Sequence, residues 1–184
     1  MDAPAFNRKR FPDMKALLAV SRWIDTFSKW TGVIFSYLLV PLVLLVVYEV
    51  ITRQLQRPTI WTFETVSFLY GAHFMLVAAY GLLMKSHVSI DLVSSRFSAK
   101  TNAVLSLVCY VCMFFPFIIV FTYYGIDYAY YSWLYLEKSW SAWGPPLYYI
   151  KTVIPITAIM LLLQGVSEVI KNIGILAGAK GVGE

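Results

Sequence analysis

Four runs of residues free of Asp, Glu, Lys and Arg dominate this chain: 30–48, 65–84, 101–126 and 152–167. Crossing the hydrocarbon core of a bilayer takes about 20 helical residues at about 1.5 Å rise each. The first three runs meet that length directly. The fourth meets it when counted from Leu147, with Lys151 extending its ammonium group to the interface. A lipid-buried backbone must satisfy its own hydrogen bonds, so the runs are predicted to be helices. Hydrophobic residues fill 59% of the 184 positions and charged ones only 14%, a balance that, with the repetition of long apolar runs, excludes a soluble helical domain. Pro41, Pro116 and Pro155 fall inside spans, where each removes a donor and predicts a bend.

Basic residues orient the spans. Arg8, Lys9, Arg10, Lys15, Arg22 and Lys29 precede the first; Lys85, Arg96 and Lys100 lie between the second and third; Lys171 and Lys180 follow the last. These account for eleven of the fifteen lysines and arginines. Only Arg53, Arg57, Lys138 and Lys151 fall on the other side, so both termini and the middle connection are expected in the cytoplasm. The net charge of +5 is thus a topology signal, and no basic domain or aromatic-interleaved patch points to nucleic acid.

The resulting expectation is an all-α integral membrane protein with four transmembrane helices. Residues 1–29 form a cytoplasmic amphipathic segment, 30–50 the first span, 60–84 the second and 101–126 the third. Residues 127–146 form an interfacial segment, 147–170 the fourth span and 171–184 a cytoplasmic tail. The basic stretch before residue 30 shows no small-residue cleavage site, so the first span reads as a retained helix. Met14, Leu17, Leu18, Ile24 and Phe27 recur there at roughly helical spacing, which predicts a helix lying on the cytoplasmic leaflet or, more plainly, a solvated juxtamembrane helix.

The segment after the third span is crowded with Tyr130, Tyr131, Trp133, Tyr135, Trp140 and Trp143, and breaks at Gly144-Pro145-Pro146. Amphipathic rings favour the bilayer interface, so anchoring is the primary reading, with docking of a partner beside it.

Ionisable chemistry is sparse. Glu49, Glu64 and Asp127 lie near span ends, and His73 is the candidate at mid-depth. With no intramembrane carboxylate to pair with, His73 is expected to hydrogen-bond a neighbouring helix rather than relay protons. Cys109 and Cys112 form a C-x-x-C inside the third span, where a thiolate and an exchange partner are disfavoured, so both read as packing residues. Ser67 and Gly71, followed by Ala78 and Ala79, offer small side chains for close helix approach, and Gln164 a polar group for bonding across helices.

Two local patterns carry a family resemblance. Pro58-x-x-Trp61-x-x-Glu64 opens the second span, and His87-Val88-Ser89-Ile90-Asp91 follows its end. With the four-helix layout, this resembles the small membrane subunit of tripartite ATP-independent periplasmic (TRAP) transporters, the DctQ-like family. The resemblance covers residues from about 30 to about 170.

It implies a non-catalytic subunit of the bacterial inner membrane, without cofactor or metal. Its partners would be a large multi-span subunit that holds the substrate and sodium sites, a periplasmic binding protein that delivers an organic acid, and phospholipid at the subunit interface. On that basis Trp61 is an interfacial anchor, and Glu64 pairs with Arg53, Arg57 or the large subunit. His87 and Asp91, four apart, suit a structural cap or subunit contact better than a metal site, since two ligands make a poor one. A self-sufficient four-helix carrier would need a mid-membrane carboxylate, and a quinone-coupled thiol oxidoreductase an accessible dithiol. These are the alternative functions.

Overall fold

The computed structural model describes residues 12–84 and 98–177. Helix α1 (Pro12–Ser36) leads into α2 (Leu39–Gln54), and α3 (Thr62–Leu83) follows a short turn. Helix α4 (Ala99–Cys109) passes through a π-helical turn at Tyr110–Phe114 into α5 (Phe115–Leu134), and α6 (Tyr148–Leu176) completes the series. Among the described residues, four stretches are long and apolar enough to cross a membrane: Ala16–Gln54, Thr62–Leu83, Lys100–Leu134 and Tyr148–Leu176. The fold is an all-helical bundle of four candidate spans.

Two of the three span prolines mark irregularities. Pro41 cannot donate to the Tyr37 carbonyl, and its ring crowds that oxygen, so the first stretch breaks between α1 and α2. The break is bridged by tight three-residue bonds, Tyr37 N–H to the Ile34 carbonyl at 3.2 Å and Leu38 N–H to that of Phe35 at 3.1 Å. Pro116 likewise leaves the Cys112 carbonyl without its helical donor, and the preceding turn widens until the Phe115 N–H reaches the Tyr110 carbonyl. Pro155 sits inside α6, which continues without interruption.

The helical stretch that carries residues 30–48 starts far upstream, with α1 at Pro12. Arg22, Asp25 and Lys29 interrupt the apolar run but not the helix. Along α1, Ser21, Ile24 and Ser28 are buried at spacings of three and four, while Trp23, Phe27 and Trp30 point away from the bundle. This stripe packs α1 against α3 and α6. The third stretch is 35 residues long, about 52 Å, which exceeds the hydrocarbon core by about 20 Å and carries helix into the expected aromatic segment as far as Leu134.

Helix α6 is the hub. It packs against α1, α3, α4 and α5, and 44% of its most apolar window is buried, against 6% in the first and third stretches. Leu76, Ala79 and Met160 form the core, with Phe35, Ala72 and Val153 around them. Two glycines are in tight contact: at Gly32 an added Cβ would stand 2.2 Å from Tyr80 Cβ, and at Gly165 it would stand 2.3 Å from the Phe114 ring. Gly71, by contrast, meets nothing within 4 Å. Tyr80 Cβ is fixed to its helix and cannot swing aside. Gly32→Ala is therefore expected to destabilise the bundle by about 1–3 kcal/mol. Gly71→Ala should be neutral or slightly stabilising through helix propensity. Reversible unfolding in detergent checks the pair, and equal effects would contradict the packing.

Candidate functional site

Polar side chains gather at the two ends of the bundle. The loop end carries the α2–α3 turn and the α5–α6 connection; the terminal end carries the start of α1 and the end of α6.

At the loop end, Glu49 holds the α2–α3 turn. Its carboxylate accepts Arg53 Nε at 2.6 Å and the Thr59 hydroxyl, which also meets that of Thr62. Gln56 takes a left-handed φ of 58° in this turn, and the Tyr48 and Trp61 rings lie 6.2 Å apart across it. Arg53 is thus engaged with Glu49. Glu64 reaches instead across the bundle, accepting from the Ser139 hydroxyl and from that of Ser141 at 2.7 Å. The sequence marks Glu64 as charged, but serines some 75 residues away carry no local signal.

The connection that Glu64 grips is a closed loop. The Ser139 N–H bonds the Pro145 carbonyl and the Leu147 N–H that of Glu137, both at 2.9 Å, while Gly144 takes a φ of 60° that other residues rarely adopt. The Gly144 N–H donates to Ser141 Oγ at 3.1 Å. At the loop tip the Trp140 indole is wholly exposed, with Trp143 half exposed beside it. Tyr130, Tyr131 and Tyr135 are exposed along the end of α5. Trp133 also donates its Nε1–H to Thr152 at 2.8 Å and packs at a tilt against the Tyr148 ring, 4.5 Å between centres, tying α5 to α6.

Below the loop, Lys151 is bonded to Glu137 and lies 4.0 Å from the centre of the Tyr128 ring. The Lys151 ammonium holds the Glu137 carboxyl below its ordinary value of 4.5. A depressed carboxylate stabilises the fold above its unfolded value and loses that contribution as pH falls through the folded one. The Ser139 and Leu147 amides should therefore exchange hydrogen faster as pH falls below about 4.5, after correction for intrinsic rates. The Glu137→Gln variant should lack this dependence; an unchanged profile in the variant would contradict the assignment.

At the terminal end, α1 and α6 share a buried polar seam. Ser21 and Ser167 hydroxyls meet at 2.7 Å. Asp25 accepts from Ser167 Oγ at 2.7 Å, Gln164 Nε2 at 2.9 Å and Lys171 Nζ at 3.2 Å. Lys171 also pairs with Glu168, so one ammonium serves two carboxylates. Gln164 is fully buried, and its Oε1 has no hydrogen-bond partner among the described residues. Halfway along, His73 Nδ1 lies 3.1 Å from the Phe35 carbonyl beside the α1–α2 break. A carbonyl only accepts, so the ring carries its proton on Nδ1.

Other sequence candidates lie elsewhere. Ser67 donates to its own helix at Phe63, and with Gly71 marks an open stretch of α3. Cys109 and Cys112 are free thiols exposed on the helix surface. His87 and Asp91 fall outside the described residues. Among the described residues, no group of three or more His, Cys, Asp or Glu is arranged to hold a metal ion.

The family described as tripartite ATP-independent periplasmic transporters, DctQ component, matches residues 42–174. No curated protein and no solved structure matches the chain. The family match runs from within the first span, through the loop-end carboxylates Glu49, Glu64 and Glu137, to the α6 side of the seam. The chain belongs to the DctQ family, the small membrane subunits of TRAP transporters.

Proposed function

We propose that the chain is the non-catalytic small permease subunit of a sodium-coupled TRAP transporter for organic acids, seated in a bacterial inner membrane. The family match carries the proposal, and the uneven burial of the spans supports it. Helix α6 is embedded in the bundle, whereas α2 packs chiefly on α3, and only 6% of the most apolar window is buried in the first and third stretches. Such a bundle offers broad faces to a large membrane partner, with phospholipid filling what the partner leaves bare. In this reading the subunit braces the static scaffold of its partner, and substrate and sodium bind in the partner.

The excess of Lys and Arg at the terminal end favours cytoplasmic termini. The loop end then faces the periplasm. There the gripped loop presents Trp140 as a docking point for the substrate-binding protein. An indole on a pinned backbone loses little freedom on contact, which suits an interface anchor.

Two measurements test these statements. Co-expressed with a large TRAP subunit, the chain should be recovered with it through mild-detergent purification; separation of the two would overturn the assignment. Trp140→Ala should leave that recovery intact while raising the binding-protein concentration for half-maximal uptake about tenfold or more, the usual cost of a lost tryptophan hot spot. An unchanged concentration dependence would make the indole a lipid anchor instead.

A further inference from the structure

On the flank of α5 an open hollow of about 420 Å³ is lined by Tyr124, Tyr128 and Tyr131, with Asp127 among them. Tyr124 and Tyr131 stand three residues before and four after Asp127, so the three share one side of the helix. Gly125 and Ile154 form its base, where a Cβ on the glycine would lie 3.2 Å from the Ile154 side chain. Asp127 is seven residues before the end of α5, about 10 Å from the loop end.

Asp127 differs from the other carboxylates whose side chains are described. Asp25 and Glu168 share Lys171, Glu49 holds Arg53, Glu64 takes two serines and Glu137 takes Lys151. Asp127 has no hydrogen bond or ion pair among the described residues. The neighbouring cation, Lys151, is engaged by Glu137 and the Tyr128 ring. An unpaired carboxylate on a spanning helix calls for a cationic partner, and tyrosine faces favour the same charge.

We infer that this hollow receives an arginine or lysine side chain of the large membrane subunit. The inference rests on the small-subunit reading above. Apolar faces alone specify membrane partners weakly, because lipid tails are as apolar as leucine. Of the two most exposed faces, α2 has its carboxylate paired internally, whereas α5 offers a free negative charge. A zwitterionic lipid headgroup fits less well, since its phosphate would bring a second anion beside Asp127. A basic side chain brings positive charge alone.

The test uses the full complex with the large subunit and binding protein. Asp127→Arg should cut recovery of the large subunit about tenfold, the size of a lost charge contact, while Asp127→Glu retains it. Unfolding of each variant alone in detergent should match the parent, because the site is exposed. A photo-crosslinking phenylalanine analogue at position 124 should form an adduct with the large subunit. Unchanged recovery with Asp127→Arg, or adducts to lipid or binding protein only, would overturn the inference. Loss of co-purification in the parent complex would instead sink the small-subunit reading itself.

Discussion

Helices in a bilayer gain little from apolar contact with one another, so a few polar and close-packed contacts decide how they assemble. Here those contacts converge on α6. Its terminal half meets α1 through Ser167, Gln164 and Lys171, with Asp25 as the common acceptor. Gly165 lets the Phe114 ring of the π-helical turn approach from the third span, and Trp133 ties the other half to α5. Removing Asp25 would leave Lys171 and Gln164 with weakened partners inside the bundle. Breaking a buried charged set costs far more than its net contribution when whole.

The loop end follows a different logic. Glu49 and Glu64 each gather hydroxyl donors from segments that have no helical hydrogen bonds of their own. One carboxylate shapes the α2–α3 turn, and the other pins the α5–α6 loop. Both ends are therefore set by carboxylates, with Glu49 buried at one end and Glu168 at the other, while Asp25 and Lys171 stay partly exposed. The exposed indoles and tyrosines of the loop end ride on a backbone already ordered before any partner arrives.

Much of this architecture is legible in one dimension. Charge-free runs mark all four helical stretches, the fourth reaching spanning length only when counted from Leu147, and Pro41 and Pro116 mark the break and the π-helical turn through the donors they lack. Helix limits are less legible. Arg22, Asp25 and Lys29 look like the edge of a span, yet the helix runs through them, and Asp25 finds its counter-charge on α6. Long-range pairing is the least legible. The sequence marks Gln164 as polar and Glu64 as charged, but their partners lie 139 and 75 residues away. The small-residue spacing at Ser67 and Gly71 marks an open face, while the tight approaches fall at Gly32 and Gly165. A glycine's use depends on what the opposite helix places against it.

The central claim is that this bundle supports transport without conducting it. The most direct measurement is sodium-driven uptake of a labelled organic acid into proteoliposomes, with the binding protein supplied outside. Liposomes holding this chain alone should accumulate nothing above the empty-vesicle background, and those holding it with a large TRAP subunit should accumulate the acid. Uptake by the chain alone, abolished when the sodium gradient is collapsed, would contradict the account.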